Sequence, residues 1–284
     1  DDEAGSEEEA FGLARRFLSY LPGHTGELPP IVESDDDPER QEPFLREVVP
    51  RDPRQVYKMH PVIEAVLDRN SFFEIGRRWG RSIITGLGRL NGVPVALFAE
   101  NPRVYGGAWT ADSCRKLIRL IDLASTFHLP LVHLEDCPGF LIGKQSEEQS
   151  TIRFGSQALA ALGQSPVPFC SVIMRKAFGV AGAANHKPGS HHIRVSWPSG
   201  DWGSLPIEGG VQAAYRRDIE AAENPDARRR ELEDELEQYR SPFRTAEAFG
   251  IEEIIDPRDT RPLLCDWAKL AYEIIPTQLG PKTR

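Results

Sequence analysis

VPFCSVIMRKAFGVAGAANH, residues 167–186, joins a run of strand character, Val167–Arg175, to a stretch of small residues: Ala177, Gly179, Ala181, Gly182, Ala183 and Ala184. A short apolar run closed by glycine reads as a buried strand. Small residues directly after a strand let a helix N-terminus approach a ligand with its N–H groups aimed outward. Backbone amides so placed make an oxyanion hole that needs no catalytic side chain. The same residues also allow a helix to pack tightly on a strand, and sequence physics weighs the two readings equally.

Strands and helices alternate on both sides of this segment. Residues 81–90 and 93–101, RSIITGLGRL and VPVALFAEN, flank Asn91-Gly92, a strong hairpin signal. A helix is expected over 111–128, with Leu117, Leu120, Ile121 and Ala124 on one stripe, then a buried strand LPLVHLED at 129–136. A second helix is expected over 147–163, and a first short one around Pro61. Downstream come a strand at 191–198, a helix at 209–221, a charged helix at 222–240, the strand-like IEEII at 251–255 and a helix from Thr260. The order predicts a layered α/β fold, and no GxGxxG follows the first strand to mark a dinucleotide binder. No repeat recurs at a fixed period.

The 284 residues are 40% hydrophobic, 27% charged and 8% aromatic, ordinary for a globular chain. The longest apolar run is well short of the about 20 residues of a membrane span. The opening DDEAGSEEEA is no signal segment. Cys114, Cys137, Cys170 and Cys265 form no CxxC pair, so a reducing, cytoplasmic setting is expected. The net charge of −9 is concentrated: residues 1–47 hold 14 acidic and 4 basic residues, which leaves the body near neutrality. No basic footprint for nucleic acid is present.

Residues 1–50 are expected to form a helix and a linker ahead of one domain, 51–284. SEEEAFGLARRFLSYLP, residues 6–22, carries Phe11, Ala14, Phe17, Leu18 and Leu21 at helical spacing behind Ser6 and a glutamate-rich turn, and Pro22 stops it. The stretch 23–43, rich in proline, glycine and acid, reads as a linker or a loop hugging a surface. A lone short helix is marginal in water, so its apolar stripe docks on this domain or a neighbour.

Common catalytic signatures are missing: no GxSxG elbow, P-loop or HExxH occurs. His186, His191 and His192 cluster at loop-like spacing with no cysteine or carboxylate to complete a metal set, so no metal is expected. Glu147 and Glu148 sit at a surface helix start, and no carboxylate pair is placed for acid–base work. Asp136 ends a strand, where α/β loops face ligand, or it caps the turn Cys137-Pro138-Gly139-Phe140. Gly139 can direct a backbone amide into a cavity by adopting positive φ. Gly106-Gly107, in GGAW, is a weaker instance of the same kind.

FFEIGRRWGRSIITGLGRLNGVPVALFAENP (72–102), LPLVHLEDCPGFLIG (129–143), the segment 167–186, Trp197-Pro198 and EAFGIEEIIDPRDTR (247–261) resemble the carboxyltransferase β subunits of biotin-dependent acyl-CoA carboxylases, of the propionyl- and acetyl-CoA type. The resemblance runs in order over about residues 6–280. It implies a crotonase-type (ClpP/crotonase-like) ββα superhelix, and specifically the C-terminal of two such halves, with EEEAFGLARRFLSYLP as the interdomain helix. In that family carboxybiotin releases CO2, and two backbone amides hold its negative ureido oxygen. By position these fall on Val180 and Ala181, and Gly139, Phe140, Phe178, Gly179, Gly182 and Ala183 line the biotin and substrate pocket. The enolate of the acyl-CoA is held by the N-terminal half. Where the family commonly reads GGAYD, this chain has Gly179-Val180-Ala181-Gly182-Ala183, and a small residue at 183 implies room for another or larger acyl group.

The resemblance further implies biotin on a separate carrier domain, since the two methionines, Met59 and Met174, do not enclose a lysine as a Met-Lys-Met biotinylation site does. It implies acyl-CoA as substrate and, as partners, an N-terminal carboxyltransferase half, a biotin carboxyl carrier domain, a biotin carboxylase and an oligomer with sites between chains. The setting is cytoplasmic, or the mitochondrial matrix in a eukaryote. The alternatives are a biotin-dependent acyl-CoA decarboxylase component, a crotonase-fold hydratase or isomerase, and a noncatalytic assembly subunit of the same fold.

Overall fold

Asn91 and Gly92, with φ of +48° and +80°, turn the chain between two fully buried strands paired residue for residue from Ile83–Glu100 to Leu90–Val93. In the computed structural model, which describes residues 2–183, 191–203, 207–237 and 240–281, this hairpin begins a single mixed sheet. Its strands are β1 (Phe73–Ile75), β2 (Ile83–Leu90), β3 (Val93–Glu100), β4 (Leu131–Cys137), β5 (Phe169–Phe178), β6 (His192–Ser196), β7 (Asp201–Gly203) and β8 (Glu253–Ile254). They lie in the order β1-β2-β3-β4-β5-β6-β8, with β7 beside the far end of β5. The first three are antiparallel neighbours and the other pairings are parallel.

The helices are α1 (Glu7–Leu18), α2 (His60–Val66), α3 (Ala111–Phe127), α4 (Lys144–Glu148), α5 (Thr151–Gln164), α6 (Gly179–Ala183), α7 (Ile207–Ala214), α8 (Arg216–Ala221), α9 (Pro225–Glu237), α10 (Pro242–Glu247) and α11 (Thr260–Ile274). Strand side chains alternate between two cores. Val95, Leu97, Val132 and Val172 meet Ile63 of α2 and Trp267 of α11 on one face. Phe98, Leu131 and Phe169 meet Leu117 and Ile121 of α3 and Ala158 of α5 on the other. Helices on both faces explain why β3, β4 and β5 read as nearly continuous apolar runs.

The leader hugs this body. Ser6 caps α1 by accepting the Glu9 N–H at 3.2 Å, and Leu13 and Phe17 pack on the second core while Phe11 and Leu18 stay exposed. Tyr20 and Leu21 are buried in that core and Leu45 in the other. Full burial of such side chains contributes roughly 1.5–3 kcal/mol each, which offsets the weakness of a short helix. Buried Arg89 donates to the carbonyls of Ser19, Pro30 and Gly92. Asp68 receives the Asn91 and Gly92 amides at 2.9 and 2.8 Å and also Arg261, which is fully buried and holds the Asp36 and Asp37 carbonyls as well. The acidic stretch is thus held by arginines of the body.

Three expectations are corrected. The helix over 147–163 is broken: Ser150 adopts φ +59° and its N–H closes on the Glu147 carbonyl, so α4 ends before α5 starts. The helix over 209–221 breaks at Tyr215 into α7 and α8. The strand expected to end at Arg175 continues to Phe178, because Lys176–Phe178 pair with β7. The charged helix α9 buries only Leu232 and part of Leu236, against Val211 and Ile219, in a small helical cluster.

Candidate active site

β3, β4 and β5 end side by side at Glu100, Cys137 and Phe178. In α/β sheets the crevice beyond strand C-termini is where ligands bind. Three segments build this crest. Tyr105, Gly106 and Gly107 take successive positive φ values of 52°, 63° and 88°. At Gly107 a Cβ would lie 2.9 Å from the Asp136 carbonyl oxygen, so only glycine fits. The Trp109 N–H donates to the Gly139 carbonyl at 3.0 Å, and the Leu141 N–H to the Trp109 carbonyl at 2.9 Å, which zips this loop to the turn after β4.

Beneath the zip lies Glu100, fully buried. Its Oε1 accepts the Trp109 indole N–H at 3.0 Å, and its Oε2 accepts the Asp136 N–H at 3.0 Å and contacts His133 Nε2 at 2.9 Å. Burial pushes the Glu100 carboxyl up, but His133, Trp109 and the Asp136 amide together pull it below the usual range. The His133 ring stacks on Phe98 at 4.0 Å.

Asp136 faces inward. Its carboxylate takes the Arg175 guanidinium at 2.8 and 3.1 Å and the Lys176 N–H at 3.2 Å, and Arg175 also holds the Gln55 carbonyl at 2.9 Å. These donors all lie on β5, not in the turn that the capping reading gives it, so the carboxylate ties β4 to β5. Cys137 is buried among carboxylates, and burial first, then Glu100 and Glu135, push its thiol well above the ordinary value, so it is no nucleophile at neutral pH. Gly139 has the expected positive φ, +108°, but its amide lies on the Cys137 sulfur rather than in a cavity. Phe140 is wedged between Trp109, 5.9 Å away edge-on, and Gly155 of α5, where a Cβ would come within 2.4 Å of its ring.

After Phe178, Gly179 at φ +61° swings the chain into α6. Ala181 is buried in the second core, while Val180 is 64% exposed. A Cβ on Gly182 would lie 2.4 Å from the Ala177 carbonyl carbon, so tight packing explains that glycine. The Ala183 side chain, Ala184 and His186 lie outside the described residues. His192 stacks on Phe169 at 4.9 Å and contacts Ser171, and among the described residues no group of three His, Cys, Asp or Glu is placed to hold a metal.

Beside this crest a cavity of about 820 Å³ opens between β5, β7, α9 and the leader at 49–56. Arg175, Lys176, Phe178, Asp201 and Arg240 line it, with Gly106 at its edge. Arg240 pairs with Asp201 and lies over the Phe178 ring at 4.9 Å. Phe178 is the one predicted pocket residue among its described lining. Glu100, His133, Arg175 and Lys176 escaped the sequence reading. Their signal was present, as ionisable residues inside apolar strand runs (ALFAEN, LVHLED, VIMRK), where burial demands a partner.

Residues 3–276 match the carboxyl transferase domain family. The chain is 38% identical over 260 residues to the carboxyltransferase subunit of propionyl-CoA carboxylase from Haloferax mediterranei, covering 90% of this chain and 50% of that protein. It is 30% identical over 254 residues to the alpha subunit of methylmalonyl-CoA decarboxylase from Propionigenium modestum, covering 89% of this chain and 49% of that one. Its structure superposes on one chain of 12S transcarboxylase, from a hexamer solved with methylmalonyl-coenzyme A and methylmalonic acid bound, with a TM-score of 0.89 at 29% identity over 99% of this chain and 53% of that chain. The chain spans about half the length of the curated relatives it matches. No helix among the described residues is long and apolar enough to cross a membrane. The expected crotonase-type α/β fold is the one observed, shared with carboxyltransferases along nearly the whole chain. With a family match over residues 3–276 and a likeness in sequence and fold along nearly its whole length, the chain belongs to the carboxyl transferase domain family.

Proposed function

We propose that this chain is the C-terminal half of a biotin-dependent acyl-CoA carboxyltransferase, with residues 1–50 as the interdomain helix and linker and 51–284 as the catalytic half. The observation that carries this reading is the superposition, over 99% of the chain, on a transcarboxylase holding methylmalonyl-coenzyme A. Biotin, carried on a separate domain, supplies the activated carboxyl group that is moved to the α-carbon of the acyl-CoA. The backbone N–H groups of Val180 and Ala181, at the start of α6, are assigned to the oxygen on which negative charge develops. Gly179 supports that assignment by turning the chain at the end of β5, and Gly182 by letting α6 sit against Ala177. Donors fixed in place before charge appears are a large source of rate enhancement and require no acid–base side chain.

An N-terminal carboxyltransferase half supplies the acyl-CoA site in this reading, so the working form is an oligomer that also engages a biotin carrier domain and a biotin carboxylase. Four free cysteines fit a reducing cytoplasm. The likeness to a methylmalonyl-CoA decarboxylase subunit favours a second reading, in which the same half-site runs toward decarboxylation.

Decarboxylation of malonyl-CoA and methylmalonyl-CoA, measured with free biocytin for this chain alone and joined to its N-terminal half, tests the proposal. Turnover is expected only with both halves, and Ala181→Pro, which deletes one donor, is expected to reduce it about 100-fold or more with the fold retained. No turnover of either acyl-CoA by the assembled protein overturns the reading. Turnover that requires a membrane-embedded partner selects the decarboxylase.

A further inference from the structure

The cavity beside the crest is lined by a cation that holds no direct ion pair of its own among the described residues. Five cations border it: Arg51, Arg54, Arg175, Lys176 and Arg240. Arg175 is spent on the Asp136 carboxylate, Arg240 on Asp201 and Arg54 on Asp52. On the acidic side Glu233 faces Arg229 at 3.7 Å, and Asp234 sits on the exposed rim of α9. Arg51 is exposed to solvent, and Lys176 differs from all four arginines. It is half-buried, it is held on β5 by pairing with Asp201 of β7, and its ammonium has no carboxylate within ion-pairing distance among the described residues. Asp136 accepts only its backbone N–H. Burial first, and then the adjacent Arg175, lower its proton affinity, while Asp136 and Asp201, beyond ion-pairing distance, pull the other way. A partly desolvated cation with no carboxylate in direct contact, at the wall of a cavity large enough for a small molecule, has donors to offer an anion there.

We propose that Lys176 is the anion-holding residue of this cavity, and that the ligand it takes is a small molecule bearing a carboxylate or a phosphate. Three features support the geometry. Arg175 and Arg240 are held by Asp136 and Asp201, so they leave the ligand's anion to Lys176. Val49, Pro53 and Val56 give the cavity an apolar side on which the body of such a ligand can pack. Lysine, a compact point charge with three donors, accepts either oxyanion. The assignment is read by binding alone, so it stands or falls apart from the carboxyltransferase reading.

The test uses the full-length protein and two probes, malonate and inorganic pyrophosphate, with malonamide as the uncharged control. Lys176 acetylation by a limiting amount of acetic anhydride is followed by mass spectrometry with and without each probe. Binding is measured by calorimetry for wild type, Lys176→Met and Lys176→Arg. Shielding of Lys176 by an anion but not by malonamide is expected, together with about tenfold or greater weakening in Lys176→Met and recovery in Lys176→Arg. Shielding by malonate alone assigns a carboxylate ligand, and shielding by pyrophosphate alone a phosphate. Failure of both anions to shield Lys176 in the wild type, or equal affinity in wild type and a folded Lys176→Met, overturns the proposal.

Discussion

The Asp136 N–H donates to Glu100 Oε2 at 3.0 Å, joining the ends of β3 and β4 directly beneath the zipped loops of the crest. Because the same carboxylate holds the Trp109 indole, one buried side chain sets the relative position of both loops. Glu100→Gln puts an amide N–H against at least one of these donors and is expected to destabilise by about 1–3 kcal/mol, and Glu100→Ala by roughly 3–5 kcal/mol, in urea unfolding.

Acid should act through the same residue. Glu100 has a lower proton affinity in the folded chain than the ordinary carboxyl value of 4.5, so its stabilisation is complete above that value and is lost as pH falls further. Wild type is therefore expected to lose stability below about pH 4 more steeply than Glu100→Gln. Parallel acid curves for the two proteins would show that the carboxylate is not ionised in the fold.

The Asp136–Arg175 pair is buried and bidentate, and it ties the strand ends to the leader through the Gln55 carbonyl. Removing one partner strands the other, so Asp136→Asn and Arg175→Met are each expected to cost about 3–5 kcal/mol. The double variant should cost clearly less than their sum, a coupling that a double-mutant cycle in denaturant measures directly.

Two glycines of the crest are expected to respond differently to alanine. At Gly182 the new Cβ meets the Ala177 backbone at 2.4 Å, so α6 must shift. Turnover should fall with Gly182→Ala even where the melting temperature changes little. Gly106 has nothing within 4 Å and only its φ of +63° to defend, so Gly106→Ala should cost about 1 kcal/mol of stability and no more.

Lys116 on α3 is buried and donates to the Ile83 carbonyl at 2.9 Å, and burial lowers its pKa from 10.5 to about 8. Between those values the unfolded chain binds more protons than the folded one, so stability rises with pH across that window. Relative to Lys116→Met, wild type is expected to gain on the order of 3 kcal/mol from pH 8 to 10.5, read from paired thermal melts.

Much of this architecture was legible along the chain. Asn91-Gly92 between two β-rich runs determined the hairpin, and the apolar stripe Leu117–Leu120–Ile121–Ala124 determined α3, since turn chemistry and helical period are local properties. The small residues after β5 marked α6, and Ser6 with its glutamates marked α1. Tertiary structure alone decided the rest. The strand expected to stop at Arg175 ran on to Phe178 because β7, from another part of the chain, paired with it. Asp136 became an anchor because Arg175 and Glu100 met it across the sheet, and Lys176 was left unpaired because Arg240 reached Asp201 from a position 39 residues away. Local sequence carries period and turn geometry, but which buried charge finds a partner depends on strand order and register, which no single segment contains.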